Sequence, residues 1–142
     1  MPSIRILVVD DYTDWRSKVR SLLRERPEWQ IIGEVSDGLE AVQRADQLKP
    51  DLILLDISLP TLNGIEAARR IRQLSPDSKI IFLSTDNSLD TVHEALSTGA
   101  LGYVHKARAQ NDLLPAVDAV LQGQEFVSST LRGEVHRPSS AA

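Results

Sequence analysis

Three carboxylates, a hydroxyl and an ammonium in this sequence stand where phosphoryl chemistry would need them. Asp10 and Asp11 directly follow the apolar run Ile6-Leu7-Val8-Val9, and Asp56 follows Leu52-Ile53-Leu54-Leu55. Ser84 and Thr85 follow Ile80-Ile81-Phe82-Leu83, and Lys106 follows Gly102-Tyr103-Val104-His105. Taken singly, each has an ordinary explanation, since Asp and Ser cap helices and a lysine at the end of an apolar run usually reaches water. Gathered in one crevice, however, three carboxylates repel one another unless a cation neutralises them. Oxygen ligands without His or Cys suit Mg2+, which binds through one or two carboxylates, keeps several waters and accepts phosphate oxygens. Lys106 would offer such a phosphate a point charge, and Ser84 a hydroxyl. A carboxylate can itself be the nucleophile toward phosphorus, giving an aspartyl phosphate.

Those residues share a crevice only if the apolar runs lie side by side. Ile4 to Val9 is rich in β-branched residues and reads as a first strand. Trp15, Val19, Leu22 and Leu23 recur at helical spacing before Pro27, so an amphipathic helix follows. Trp29 to Val35 reads as a second strand, and Leu39, Val42, Ala45 and Leu48 line a second helix closed by Pro50. Leu52 to Leu55 is a third strand with no polar alternation, which implies burial on both faces. Beyond the Asn63-Gly64 loop, Ile65, Ala68, Ile71 and Leu74 line a third helix. Lys79 to Ser84 is a fourth strand, and Leu89, Val92, Ala95 and Leu96 line a fourth helix ending near Gly99. Ala100 to His105 is a short fifth strand, and Leu113, Leu114, Val117, Val120 and Leu121 line a fifth helix closed by Gly123. Five strands alternating with five helices through short connections predict an α/β domain, a parallel sheet covered by helices on both faces. In such a sheet ligands bind beyond the carboxyl ends of the strands, which is where all of the candidate residues fall.

Composition narrows the function classes. A chain of 142 residues with 42% hydrophobic and 25% charged residues suits one globular domain with its own core. The absence of cysteine removes disulfides, thiolate metal sites and cysteine nucleophiles. His93, His105 and His136 are too scattered for a zinc cluster. A net charge of -4 argues against direct nucleic-acid contact by this chain. With no cleavable leader pattern and no apolar run near the ~20 residues of a membrane span, a cytoplasmic location without membrane association is expected. No glycine-rich phosphate loop is present, and Asp10-Asp11 would repel a pyrophosphate. A covalently held phosphoryl group therefore fits better than a bound nucleotide.

Val8-Val9-Asp10-Asp11, Leu54-Leu55-Asp56-Ile57-Ser58-Leu59-Pro60 with Asn63-Gly64, Phe82-Leu83-Ser84, and Gly102-Tyr103-Val104-His105-Lys106 occur in order at successive strand ends. On these motifs the chain resembles the receiver domain of bacterial response regulators, from about Ile4 to Gly123. The resemblance implies a flavodoxin-like (βα)5 fold with five parallel strands in the order 2-1-3-4-5. It implies that Asp56 is the phosphoacceptor, charged by a histidine kinase with Mg2+ held by Asp10, Asp11, Asp56 and the backbone carbonyl of Ser58. Ser84 and Lys106 would bind the phosphoryl oxygens, while Ser84 and Tyr103 would act as the switch pair. The face made by the fourth helix, fifth strand and fifth helix would carry the output, and could support a homodimer. Such a domain is a phosphoacceptor rather than an enzyme, with a share in its own phosphorylation and dephosphorylation.

The Asn63-Gly64-Ile65-Glu66-Ala67 and Ala119-Val120-Leu121-Gln122-Gly123 segments resemble receivers that precede a helix-turn-helix domain in transcriptional regulators. Residues 1–123 are thus expected to form the receiver, and 124–142 a tail or the start of a linker without an effector domain. Stand-alone and degenerate, protein-binding receivers are the alternatives. A phosphatase of the haloacid dehalogenase type is remote, because Tyr12 occupies the position two residues after Asp10 where its second acid would be. Two departures stand out: Ala107 follows Lys106 where many receivers have a cis proline, and Thr85 follows Ser84 where Ala or Gly is frequent. The bulk of Thr85 predicts slower phosphoryl entry and hydrolysis.

Overall fold

The structure is a computed structural model that describes residues 3–128. Strand β1 (Ile4–Val9) leads to helix α1 (Thr13–Leu23), β2 (Trp29–Val35) to α2 (Gly38–Leu48), and β3 (Leu52–Leu55) to α3 (Gly64–Leu74). Strand β4 (Lys79–Ser84) leads to α4 (Leu89–Leu96), and β5 (Gly102–His105) passes through a single 3-10 turn (Lys106–Arg108) into α5 (Ala109–Leu121). The strands pair in parallel in the order β2-β1-β3-β4-β5, as expected.

A sixth strand, β6 (Phe126–Val127), extends the sheet beyond β5. By sequence these residues belong to the expected tail, because two residues carry no periodicity. Backbone pairing makes the strand instead: Phe126 N donates to the Leu101 carbonyl at 2.9 Å, and Ser128 N to the Tyr103 carbonyl at 3.0 Å. Val127 joins the core. The remainder of the expected tail, 129–142, lies outside the described residues.

The uninterrupted apolar run of β3 follows from its central place. Ile53 and Leu55 face a core layer formed with α2, α3 and α4, whereas Leu52 and Leu54 face the layer formed with α1 and α5. All four are at most 1% exposed. Burial of such a side chain contributes about 2 kcal/mol, so β3 is a rigid mount for the residue after it.

Asp37, Asn63 and Ser88 cap α2, α3 and α4, accepting from the backbone N–H of Glu40, Glu66 and Thr91. Helix α3 starts close beneath Asp56: a Cβ on Gly64 would lie 1.9 Å from the Asp56 carbonyl oxygen, so only glycine fits there. Gly99, at φ 98°, supplies the left-handed residue expected after α4. Thr61, at φ 66°, holds an unusual conformation for a β-branched residue in the β3–α3 loop, and its hydroxyl donates to Asp37 Oδ1 at 3.3 Å.

Candidate functional site: an acidic crevice with one buried lysine

Asp10 and Asp56 do not serve as caps. Helix α1 is preceded by Tyr12, which makes no side-chain cap, and the cap of α3 is Asn63. The two aspartates instead end the neighbouring strands β1 and β3 and are 4% and 7% exposed, while Asp11 is open to solvent. One carboxylate oxygen from each of Asp10, Asp11 and Asp56 lies within 4.8 Å of the other two.

The counter-charge comes from the end of β5. Lys106 is buried, and its Nζ donates to Asp10 Oδ2 at 2.8 Å and to Asp56 Oδ2 at 3.5 Å. The other oxygens of these carboxylates are tied to the local backbone: Tyr12 N donates to Asp10 Oδ1 at 2.9 Å, and Ile57 N to Asp56 Oδ1 at 2.7 Å. Burial pushes the Asp56 carboxyl above its ordinary value, the Lys106 ammonium opposes this, and Asp10 adds to it. Among the described residues no cationic side chain pairs with Asp11. One ammonium thus faces three carboxylates, and the oxygen-only donor set fits a hard divalent cation. A cleft of about 510 Å³ opens beside them, reaching from Asp11 and Ser58 to Asp86, Thr91 and Glu94.

Ser84, at the end of β4, is 2% exposed, and its hydroxyl accepts from Asp86 N at 3.0 Å. Tyr103 is fully buried, where its residue type suggests half-burial. Its phenol donates to the Asp86 carbonyl, and burial pushes its pKa up to about 12. Ser84 and Tyr103 therefore both bond the backbone of one residue, Asp86, which the sequence pattern does not mark. Thr85 is exposed, and its carbonyl lies 3.3 Å from His105 Nε2. No cis peptide occurs among the described residues, so Lys106–Ala107 is trans.

The sequence pattern also misses Trp15 and Arg16. Trp15 reads there as one position of an apolar stripe, yet its ring centroid lies 4.9 Å from Lys106 Nζ. Arg16 donates to the Asp10 carbonyl at 2.6 Å and pairs with Glu34 on β2 at 3.3 Å, which braces the β1–α1 turn. An aromatic four residues after Asp11 and one helical turn into α1 is the only signal that could have drawn attention to the first of these.

No helix among the described residues is long and apolar enough to cross a membrane. The response regulator receiver domain family matches residues 6–118. The chain is 36% identical over 126 residues to the nitrate/nitrite response regulator protein NarL of Escherichia coli, a match covering 89% of this chain and 58% of that protein. It is also 36% identical over 124 residues to the transcriptional regulatory protein DegU of Brevibacillus brevis, covering 87% and 52%. The chain therefore spans little more than half the length of these relatives. A crystal structure of a LuxR-family two-component response regulator from Aurantimonas superposes with a TM-score of 0.89 at 32% identity, covering 94% of this chain and 95% of that one. Strand order, strand-end residues and these matches agree: the chain belongs to the response regulator receiver domain family of two-component signalling.

Proposed function

We propose that this receiver is a phosphorylation switch in which Asp56 accepts a phosphoryl group from the phosphohistidine of a histidine kinase. The observation that carries the reading is the convergence of Asp10, Asp11 and Asp56 oxygens within 4.8 Å, with Lys106 bridging two of them. In the transfer, Asp56 Oδ2 forms a bond to phosphorus while the phosphorus–nitrogen bond of the donor breaks, and the imidazole nitrogen keeps the electron pair. Ile57 N holds Oδ1, which leaves Oδ2 as the oxygen directed toward Lys106. Asp10, Asp11, Asp56 and the Ser58 carbonyl would hold Mg2+, which supplies charge neutralisation for the phosphoryl oxygens.

The new dianion would draw the Lys106 ammonium and the Ser84 hydroxyl toward it. Ser84 would then release Asp86 N, and Tyr103 shares that residue's backbone, so a change at Asp56 has a short mechanical route to the α4–β5–α5 face. A homodimer through this face is a natural output. The relatives named as transcriptional regulators suggest that the whole protein controls transcription through a separate DNA-binding part. Incubation with phosphoramidate and Mg2+ followed by intact mass should show a single phosphoryl addition. Asp56→Asn should abolish it, and an undiminished shift in that variant would refute the assignment.

A further inference from the structure

The indole of Trp15 does more than fill the α1 face. It is partly buried against the layer formed with α1 and α5, and two ammonium groups approach its ring: Lys106 Nζ at 4.9 Å and Lys18 Nζ at 5.1 Å from the centroid. Lys18 is exposed and lies three residues along the same helix, so helical spacing alone brings it there. Lys106 is different, because it is buried and comes from the turn that follows β5.

A lysine ammonium is a compact charge on a flexible stem, without the planar fork that fixes the direction of an arginine. Between two carboxylates it has no intrinsic reason to prefer one. Here it sits 2.8 Å from Asp10 and 3.5 Å from Asp56. Asp10 and Trp15 belong to the same β1–α1 unit, whereas Asp56 ends β3. The negative face of an indole attracts an ammonium, and more strongly where water is excluded. We propose that Trp15 is a positioning residue for Lys106: its ring holds the ammonium on the β1–α1 side, closer to Asp10 than to Oδ2 of Asp56, until a phosphoryl group presents a stronger anion. An ammonium bonded closely to Oδ2 would mask the oxygen that attacks phosphorus. This proposal rests on the phosphoacceptor role given to Asp56.

The test is the initial rate of phosphoryl incorporation from phosphoramidate with Mg2+, followed by intact mass of the full chain. Trp15→Leu should slow incorporation about 5-fold, and Trp15→Phe, which keeps a π face, should stay within about 2-fold of the parent. In a Lys106→Met background Trp15→Leu should have no further effect. Equal rates for parent and Trp15→Leu, or a loss of the same size in both backgrounds, would overturn the proposal. A second readout does not depend on turnover or on the Leu variant folding. The chain has two tryptophans, so the indole N–H resonance of Trp15 is assigned by its loss in Trp15→Phe. That resonance should shift in Lys106→Met while the Trp29 resonance stays; an unmoved Trp15 resonance would overturn the contact. A parent protein that takes up no phosphoryl group would instead count against the role of Asp56.

Discussion

Both ends of the sheet bury polar groups, and they do so in opposite ways. Where β3 and β4 begin, Ser75 and Ser78 are 2% and 1% exposed, their hydroxyls lie 2.7 Å apart, and Ser78 donates to the Pro50 carbonyl. Their backbone N–H groups reach the Ile71 and Ser75 carbonyls, and the nearby Asp51 carboxylate accepts from Arg5 N. The buried side chains at that end are neutral and hydrogen-bonded to one another and to backbone. Where the strands finish, Asp10 and Asp56 share one ammonium, and Asp11 beside them has no cationic partner among the described residues. A satisfied neutral network specifies structure, whereas an unbalanced charged one is retained at a cost to stability. The excess negative charge is what a cation and a phosphoryl group together can use.

The contrast should widen most when Lys106 is removed. Lys106→Met leaves Asp10 and Asp56 facing each other, and should cost about 3 kcal/mol in urea unfolding near neutral pH. Added Mg2+ should recover part of that loss; an undiminished stability without Mg2+ would mean that the charged end is already balanced. At the neutral end, Ser78→Ala strands the Pro50 carbonyl and the Ser75 hydroxyl and should cost about 2 kcal/mol. Phosphoryl uptake should be unchanged in Ser78→Ala, and a slower uptake would break the separation of the two ends.

Asp56→Asn should have a smaller effect of opposite sign. Burial raises the folded-state value of this carboxyl despite Lys106, so the ionised form opposes folding. The opposition is complete above the raised folded value and vanishes as pH falls below the ordinary carboxylate value near 4. Without Mg2+ the variant should therefore be more stable at neutral pH, with an advantage that shrinks on acidification. A gain that does not change with pH would contradict this origin.

The layered core was legible in the sequence because it rests on two periodicities. Leu52 to Leu55, apolar throughout, had to lie in the middle of a parallel sheet, and Ile65, Ala68 and Ile71 had to face it at helical spacing. Strand-end residues followed, since topology brings Asp10, Asp56, Ser84 and Lys106 to one edge whatever lies between them in sequence. What sequence does not carry is the direction of a side chain or the pairing of a very short segment. Phe126–Val127 pairs with β5 through its backbone, and Val127 also joins the core. Trp15 occupies a proper core position in its helix, and only the reach of Lys106 across the layer turns it toward the site. Thr61 adopts a backbone conformation that its residue type disfavours, held in a loop next to the cleft.

The most direct measurement locates the phosphoryl group chemically. After incubation with phosphoramidate and Mg2+, borohydride reduction converts an aspartyl phosphate to homoserine, and peptide mapping then identifies the residue. The account predicts homoserine in place of Asp56. Conversion of Asp10 or Asp11, or a stable phosphoester on Ser84 or Thr85 with Asp56 intact, would contradict it.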